Sequence, residues 1–312
     1  MSTPQELSLT RFWAPRYWPA WALWLAMQTA ARLPFSWLPP IGKVLGKVLR
    51  RVKRRERRTA ARNLQVCFPE LTAVEHERLL TLHFEAVGMS FLEMAIGWYW
   101  PIAKLLAIVK IEGREHLDRA FARGHGVILV GGHFTSLEVG FAVLEAVCPR
   151  CSCMYRPQRN AMLDAMIRRG RRRFAQEQIP RDNVRALLRK LRDNHAVAYL
   201  PDQTYLGNQS EILPFFGEPA VTNIATSKLA KISGATVLPY FFRRLADGAG
   251  YLVNIGPPLP NFPSDDAGAD TRRLVQGLEE YIRLAPEQYL WLYKKFKGRP
   301  EPHPNLYRND GG

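Results

Sequence analysis

The segment 131–138 (GGHFTSLE) contains a histidine and a glutamate whose types suit acid–base chemistry. An imidazole can take a proton from a hydroxyl group, and a nearby carboxylate can orient the ring and stabilise its protonated form. On an ideal helix His133 and Glu138 would lie about 140° apart and would not share a face. They can meet if His133 lies in a turn, which Gly131 and Gly132 permit, and Glu138 lies in the helix that follows. We predict that His133 is a general base and Glu138 its orienting partner; the alternative is a hydrogen-bonded histidine in a turn.

Polar residues also follow two other β-like runs. Arg156, in a Tyr-Arg-Pro motif, comes after one of them, with Asn160 close behind, and Asp202 and Gln203 follow the run AVAYL. Ligands of open α/β sheets gather outside the carboxyl ends of the strands. We therefore expect His133, Arg156 and Asp202 to supply a base, a cation and a carboxylate to one crevice. For Asp202, a strand-end cap is the structural alternative.

The elements that would position these residues alternate between short β-rich runs and longer helical stretches. The strand candidates are 126–130, 196–200, 236–242 and 251–255, and the helical candidates are 59–100, 135–147, 160–174, 183–194, 222–233 and 271–284. Strands separated by helices are typical of an α/β fold with helices packed on the sheet. We place this catalytic domain at 106–312.

The N-terminal part of the chain is typical of a membrane anchor. Residues 17–31 carry no charge, and five of the eight tryptophans, which favour the headgroup level of a bilayer, lie between Trp13 and Trp37. A basic block follows from Lys43 to Arg62. We predict an anchor at 1–42 and a basic juxtamembrane helical region at 43–105. We favour a helix that spans the membrane over one that lies in the interface, although fifteen residues are fewer than the ~20 that cross a bilayer comfortably. A buried amphipathic helix of a soluble domain is the third alternative.

The charge of the chain indicates an anionic partner. Lys and Arg number 44 and Asp and Glu 28, a formal net charge of +16. Nucleic acid, an acidic membrane, an acidic protein or a phosphorylated substrate would each satisfy this charge. The four cysteines, three of them within 148–153, suit a reduced compartment better than disulfides. They lack the repeated Cys-x-x-Cys pairs of a zinc site, and we expect neither metal nor cofactor.

Short motifs that are familiar from one family occur in order over nearly the whole chain. They include Arg62-Asn63-Leu64, Cys67-Phe68-Pro69-Glu70, Trp98-Tyr99-Trp100-Pro101, GGHFTSLE, YRP, LPDQTY, Pro214-Phe215-Phe216-Gly217, APEQYLW at 285–291 and Arg299-Pro300-Glu301. Through this set the chain resembles the late lipid A biosynthesis acyltransferases of Gram-negative bacteria, especially the lauroyl branch.

The resemblance implies a glycerolipid-acyltransferase-like mixed α/β fold on the cytoplasmic face of the bacterial inner membrane. It implies an acyl carrier protein thioester as donor and a Kdo-bearing tetraacylated lipid A precursor, Kdo2-lipid IVA, as acceptor. By position, His133 and Glu138 become the catalytic pair. Arg156 would face a substrate phosphate or the developing oxyanion, and Asp202 matches the aspartate of the PDQ motif. Arg171, in a basic run at 168–173, is a candidate contact for the phosphates or the acidic carrier protein.

Several alternatives remain open at this level. The acceptor could be another lipid or glycolipid, although a phospholipid branch would show Pro-Glu-Gly where this chain has Pro201-Asp202-Gln203. Departures from the family pattern at Asn183 and at 221–223 bear on substrate preference. An acyl-enzyme on one of the clustered cysteines is possible in principle, but nothing marks a thiol as activated. A basic nucleic-acid-binding protein is the alternative from another class, although no zinc-finger, RRM or KH signature occurs.

Overall fold

A computed structural model describes residues 9–148, 150–175 and 177–307. Its centre is a mixed seven-stranded sheet, accompanied by a separate two-stranded hairpin. The strands are β1 (Val109–Glu112), β2 (Val127–Val130), β3 (Cys151–Tyr155), β4 (Glu177–Pro180), β5 (Ala196–Tyr199), β6 (Ser210–Phe215), β7 (Glu218–Asn223), β8 (Thr236–Arg244) and β9 (Tyr251–Ile255).

Eleven α-helices are found in the described residues. They are α1 (Trp18–Ala30), α2 (Leu38–Val52), α3 (Arg54–Cys67), α4 (Ala73–Tyr99), α5 (Ile102–Leu106), α6 (Arg114–Ala122), α7 (Leu137–Val147), α8 (Ala161–Arg171), α9 (Val184–Arg192), α10 (Ala225–Ser233) and α11 (Ala267–Leu284).

The sheet has the strand order β1-β9-β8-β2-β5-β3-β4. Strands β8, β2, β5, β3 and β4 run parallel to one another, while β9 is antiparallel to β8 and parallel to β1. The carboxyl ends of β2, β3 and β5 therefore meet at one edge of the sheet, which is the edge at which the predicted site residues follow their strands.

Each face of the sheet is covered by helices. Along β2, Val127 and Leu129 join one hydrophobic cluster with residues of α4 and α7, whereas Ile128 and Val130 join a second cluster with residues of α9 and α10. This alternation follows from the two-residue period of a strand, and both faces are apolar because both are buried. The mixed α/β class predicted from the sequence is confirmed.

Helix α4 is the long central helix of the N-terminal half. Its start is fixed by a capping box, in which Thr72 and Glu75 satisfy each other's backbone groups. Among the described residues it is the one helix long and apolar enough to cross a bilayer, but most of that stretch is buried in the protein, as in a core helix. Helix α2 packs closely against it at glycines: a Cβ on Gly88 would lie 2.2 Å from the backbone oxygen of Gly42.

The segment predicted to be a single anchoring helix folds as two short helices. Helix α1 has 13 residues, and Pro39 and Pro40 form the first turn of α2, where proline is tolerated. The predicted boundary at 42/43 falls inside α2, and the one at 105/106 falls at the end of α5. The helical region predicted at 59–100 is two helices, α3 and α4, which are interrupted around Pro69. The division into domains remains a prediction.

Candidate active site

Two neighbouring parallel strands deliver the central pair of residues. His133 lies three residues beyond the end of β2, and Asp202 lies three residues beyond the end of β5. The two strands are paired from Val127 with Ala196 to Val130 with Tyr199, so their ends are level. The sheet therefore brings together two residues that are 69 positions apart in the sequence.

The His133 imidazole is hydrogen-bonded to the Asp202 carboxylate. Nδ1 lies 2.6 Å from Oδ1, and the backbone N–H of His133 donates to Oδ2 over 2.9 Å. The Asp202 side chain is 2% exposed and that of His133 is 27% exposed, so the ring borders solvent while its partner does not. An ionised carboxylate accepts the proton on Nδ1, which leaves Nε2 as the nitrogen with a lone pair. This tautomer is the one that a general base requires.

Two further residues, Tyr289 and Lys295, donate hydrogen bonds to Asp202. Tyr289 donates its hydroxyl proton to Oδ2 over 2.9 Å, and the buried ammonium of Lys295 donates to the Asp202 backbone oxygen over 2.7 Å. Burial raises the pKa of Asp202, but the charge and hydrogen bonds of His133 and the charge of Lys295 outweigh it, so the pKa lies below its ordinary value. Burial lowers the pKa of Lys295, and Asp202 opposes that shift.

The C-terminal segment 285–296 is paired directly with the histidine turn. Leu290 donates its N–H to the backbone oxygen of His133 over 2.9 Å, and Thr135 donates to Gln288 over 2.8 Å. The segment is in turn held by Asn63, a fully buried residue of α3, whose amide donates to the backbone oxygens of Trp291 and Tyr293. The motifs near residues 63, 133, 202 and 289 thus form one connected assembly.

The two glycines before the histidine are required by close packing. A Cβ on Gly131 would lie 2.3 Å from the backbone oxygen of Tyr240, and one on Gly132 would lie 2.7 Å from Leu278. Neither glycine has a positive φ. The turn therefore depends on the absence of a side chain at these two positions and not on a left-handed conformation.

Glu138 lies in the first turn of α7, as predicted, but its carboxylate is engaged elsewhere. It accepts hydrogen bonds from Nε and Nη2 of Arg171 on α8 and, over 2.7 Å, from Nε1 of Trp98 on α4. The partner of the imidazole is Asp202, so the orienting role predicted for Glu138 is corrected here. The physical reason is that α4 packs against this turn: a Cβ on Gly97 would lie 2.7 Å from the backbone oxygen of Glu138.

The other predicted substrate-binding residues are dispersed. Gln203 lines the same small cavity as His133 and Tyr289. Arg156 is exposed in the loop after β3. Asn160 caps α8 by accepting from the N–H groups of Met162 and Leu163, which accounts for it structurally. Arg171 is tied to Glu138, as described above, so its guanidinium is partly committed within the protein.

An apolar cavity adjoins the His133–Asp202 pair. It is an open apolar cleft with roughly 620 Å³ of free space, a figure that includes space continuous with the solvent. Asp202 and Lys295 line both this cavity and the small one that contains His133. Its wall is formed by strand ends, the β6–β7 hairpin and one side of α11, and includes Val130, Phe215, Thr222, Asn223, Phe241, Leu274, Gly277 and Leu278. The departures from the family pattern at 222 and 223 thus lie on this wall, whereas Asn183 caps α9.

The cysteines and Ser136 are poorly placed to act as nucleophiles. All four cysteines are buried free thiols. A hydrogen bond with Cys148 and burial raise the pKa of Cys151 well above its usual value, and burial raises the pKa of Cys153 to about 11. Ser136 is fully buried. A thiolate or an accessible hydroxyl is required for nucleophilic attack, so the geometry favours direct transfer.

The fold is a mixed α/β sheet with a His–Asp pair at its strand ends and an apolar cavity next to the pair. These features define a class of enzyme that can activate a hydroxyl group next to a bound apolar ligand. Comparison with known proteins makes this specific. Residues 7–298 match the family described as "Bacterial lipid A biosynthesis acyltransferase". The chain therefore belongs to that family and is an acyltransferase of lipid A biosynthesis.

Individual relatives support this assignment over almost their whole length. The chain is 35% identical to a lipid A biosynthesis palmitoleoyltransferase of Escherichia coli (strain K12), with 97% of this chain and 99% of the relative covered. It is also 35% identical to the lauroyltransferase of the same organism, with 94% and 96% covered. The E. coli myristoyltransferase is 28% identical, with 91% and 88% covered. Equal identity to the first two means that chain length is not decided by these relatives.

Sequence reasoning missed three residues that build the site. Lys295 and Tyr289 lie in the C-terminal segment, and Asn63 lies in the Arg-Asn-Leu motif. Two of these, Asn63 and Tyr289, are inside motifs that carried the family resemblance, and that is the signal that could have identified them. Lys295 carries no local signal, because only burial distinguishes it from its neighbours Lys294 and Lys297.

Proposed function

We propose that this enzyme transfers a fatty acyl chain, lauroyl in the first instance, from acyl carrier protein to a hydroxyl of the Kdo-bearing tetraacylated lipid A precursor. The observation that carries the proposal is the His133–Asp202 pair, whose Asp202 also lines an apolar cavity. Membership of the family supports a lipid A-type acceptor. The net charge of +16 suits an acidic carrier protein and a phosphorylated acceptor at the cytoplasmic face of the inner membrane.

In the proposed reaction, Nε2 of His133 takes the proton of the acceptor hydroxyl as its oxygen attacks the thioester carbonyl. The carbon–sulfur bond then breaks, and the imidazolium returns its proton to the departing thiolate. Asp202 keeps the ring in the required tautomer and stabilises its positive charge, which is the usual contribution of such a carboxylate. No covalent acyl-enzyme forms.

The apolar cavity takes the acyl chain in this proposal. Its position beside Asp202 and Lys295 would place a thioester carbonyl at the mouth, near His133, with the hydrocarbon among the side chains of α11 and the β6–β7 hairpin. Arg156, exposed near the same edge of the sheet, is proposed to contact an acceptor phosphate. The pair of Glu138 and Arg171 is proposed to fix α7 and α8, and with them the histidine turn.

The test is transfer of radiolabelled lauroyl, myristoyl and palmitoleoyl groups from acyl carrier protein to Kdo2-lipid IVA, to lipid IVA without Kdo, and to lysophospholipid. We expect transfer to the Kdo-bearing acceptor and its collapse in His133→Ala. Preferential transfer to lysophospholipid would overturn the acceptor. Activity that survives in His133→Ala would overturn the mechanism.

A further inference from the structure

Exposed apolar side chains are concentrated at the N-terminal end of the protein. Of the seventeen large hydrophobic side chains that are exposed in the described residues, eight fall within residues 13–52. They are Trp13, Trp18, Leu25, Trp37, Val44, Leu45, Val48 and Val52. Scattered apolar residues are normal on a protein surface, but such a concentration marks an interaction site.

Helix α2 sorts its residues into three rows along its length. Gly42 and Gly46 form the buried row that packs on α4. Lys43, Lys47 and Arg51 form an exposed basic row. Val44, Val48 and Val52 form an apolar row, with side chains that are 61%, 48% and 65% exposed. Residues four apart share a face of a helix, so each row is continuous. Each valine directly follows a basic residue in the sequence, so the apolar row lies about 100° around the helix from the basic row.

An apolar row bordered by a basic row is the pattern of a helix that lies in a membrane interface. The apolar side chains enter the boundary of headgroups and acyl chains, and the lysines and arginines contact anionic headgroups. The row from Val44 to Val52 runs for about 12 Å along the axis. To bury all of it at one depth, the axis of α2 must lie parallel to the membrane plane.

Helix α1 also has one buried side and one exposed apolar side, although it carries no charged residue. Its Ala20, Met27 and Ala30 are buried against the protein, while Trp18 and Leu25, seven residues apart on one face, are 63% and 62% exposed. With 13 residues it is about 20 Å long, less than the ~30 Å of a bilayer core. One side of it is therefore unavailable to lipid and its length does not suffice for a span.

We propose that the enzyme is seated on an anionic membrane by the exposed faces of α1 and α2, both in the plane of the interface, with neither helix crossing it. The valines of α2 and Leu25 enter the upper acyl region, the exposed tryptophans lie at headgroup level, and Lys43, Lys47 and Arg51 bind acidic headgroups. This membrane orientation extends the proposed function, action on a lipid acceptor, and rests on that function. The experiments that test the orientation do not depend on catalysis.

Depth measurements on the full-length protein test the orientation. Nitroxide labels are placed one at a time at V44C, V48C and V52C, and at I232C on α10 as an equally exposed control. The protein is reconstituted into bilayers that contain phosphatidylglycerol. Wild-type protein that is treated with the nitroxide reagent in the same way corrects for labelling of the four buried native cysteines. We expect the three α2 labels at one shallow depth and I232C in water. Depths that increase by about 6 Å from each label to the next, as an inserted helix requires, would overturn the proposal, and so would water exposure of all three.

Vesicle flotation tests the chemistry of the surface. Val48→Glu/Val52→Glu should weaken binding to phosphatidylglycerol vesicles by roughly tenfold or more, whereas Ile232→Glu should not change it. Wild type should bind pure phosphatidylcholine less well, and Lys43→Gln/Lys47→Gln/Arg51→Gln should reduce the difference between the two lipids. Unchanged flotation of the valine variant, or equal binding to both lipids, would overturn the proposal. Acyl transfer to detergent-dispersed acceptor, measured in parallel, reports separately on the proposed function.

Discussion

At the scale of single residues, the site depends on one buried carboxylate that serves several donors. Asp202 accepts from the ring and the backbone of His133 and from Tyr289, and Lys295 lies against its backbone oxygen. A buried charge is tolerated only when it is paired and hydrogen-bonded. The loss of one donor should therefore change the charge state of the groups that remain. Substitutions around Asp202 should therefore change the pH dependence as well as the rate.

Lys295→Met retains much of the volume of the side chain and removes its charge. The ammonium helps to lower the pKa of Asp202, so without it the carboxyl takes up a proton at higher pH and the acid limb of kcat/KM moves upward. We expect kcat to fall about 10-fold or more, since one charged hydrogen bond to a buried group is lost. The measurement is a pH–rate profile with Lys297→Met as control. An unmoved acid limb in a folded Lys295→Met enzyme would show that the lysine has only a packing role.

Gly277 offers a test of the acyl cavity. It lines the cavity, and a Cβ built on it meets nothing within 4 Å, so a larger side chain can enter without strain. Gly277→Leu should fill the space and shift preference toward shorter acyl donors, with a methylene difference worth roughly 10-fold or more in kcat/KM. Competition between donors of different length measures this. Unchanged selectivity in Gly277→Leu would mean that the chain binds elsewhere.

The sequence indicated His133 because a strand followed by a glycine-rich turn is a local pattern. The partner of the imidazole was harder to assign, because two carboxylates were candidates and their distances depend on which strands are neighbours. Pairing of β2 with β5 brings Asp202 to the ring, and packing of α4 turns Glu138 toward Arg171. Lys295 and Tyr289 belong to a segment without regular structure. No hydrophobic period in the sequence could have indicated that this segment pairs with the histidine turn.

At the scale of elements, α4 connects the N-terminal helices to the catalytic turn. His83, near its middle, is fully buried, and its Nδ1 lies 2.9 Å from the backbone oxygen of Glu287 in the C-terminal segment. The other ring nitrogen, Nε2, is buried without a hydrogen-bond partner. Burial lowers the pKa of His83 to about 4, so the folded protein holds this ring neutral while the unfolded chain titrates near 6.5.

This difference predicts acid sensitivity. Below pH 6.5 the unfolded chain binds a proton that the folded state excludes, so the free energy of unfolding falls with pH until about pH 4. Between pH 7 and pH 5 the loss from this group should be about 2 kcal/mol. His83→Asn keeps a donor for the Glu287 oxygen and should reduce that pH dependence. Urea unfolding in detergent at the two pH values measures it, with His76→Asn as control. Equal acid sensitivity of His83→Asn and wild type would contradict the explanation.

The strands that were predicted and those that were missed differ in burial. Strands β2, β5, β8 and β9 are apolar runs in the interior of the sheet and were found within a few residues of their ends. Strands β1 (VKIE) and β4 (EQIP) lie at the two edges and carry polar residues, so they have no such pattern. The hairpin β6–β7 packs outside the sheet. Helices α2 and α3 were predicted only as parts of wider helical regions, at 43–105 and 59–100, because charge hid the 3.6-residue period of their buried positions.

At the scale of the whole molecule, the proposed reaction and the proposed membrane contact use different parts of the fold. The His133–Asp202 pair and the apolar cavity lie at one edge of the sheet, whereas the uncharged helix α1 and the basic, apolar-faced helix α2 pack on α4. Both proposed substrates are anionic and one of them is a lipid, so a surface that concentrates the enzyme on an acidic membrane also brings it to its acceptor. Chain length and the acylated hydroxyl depend on cavity shape, which no single motif encodes.

The central claim is that Asp202, and not Glu138, works through His133. A double-mutant cycle on kcat in the lipid A precursor assay tests this most directly, with Asp202→Asn and Glu138→Gln each made in wild-type and His133→Ala backgrounds. We predict that Asp202→Asn alone lowers kcat about 10²- to 10⁴-fold and has little further effect in His133→Ala, because residues that act as one unit are not additive. The effect of Glu138→Gln should persist in both backgrounds. A full additional loss from Asp202→Asn in the absence of His133, with the loss from Glu138→Gln vanishing instead, would contradict the account.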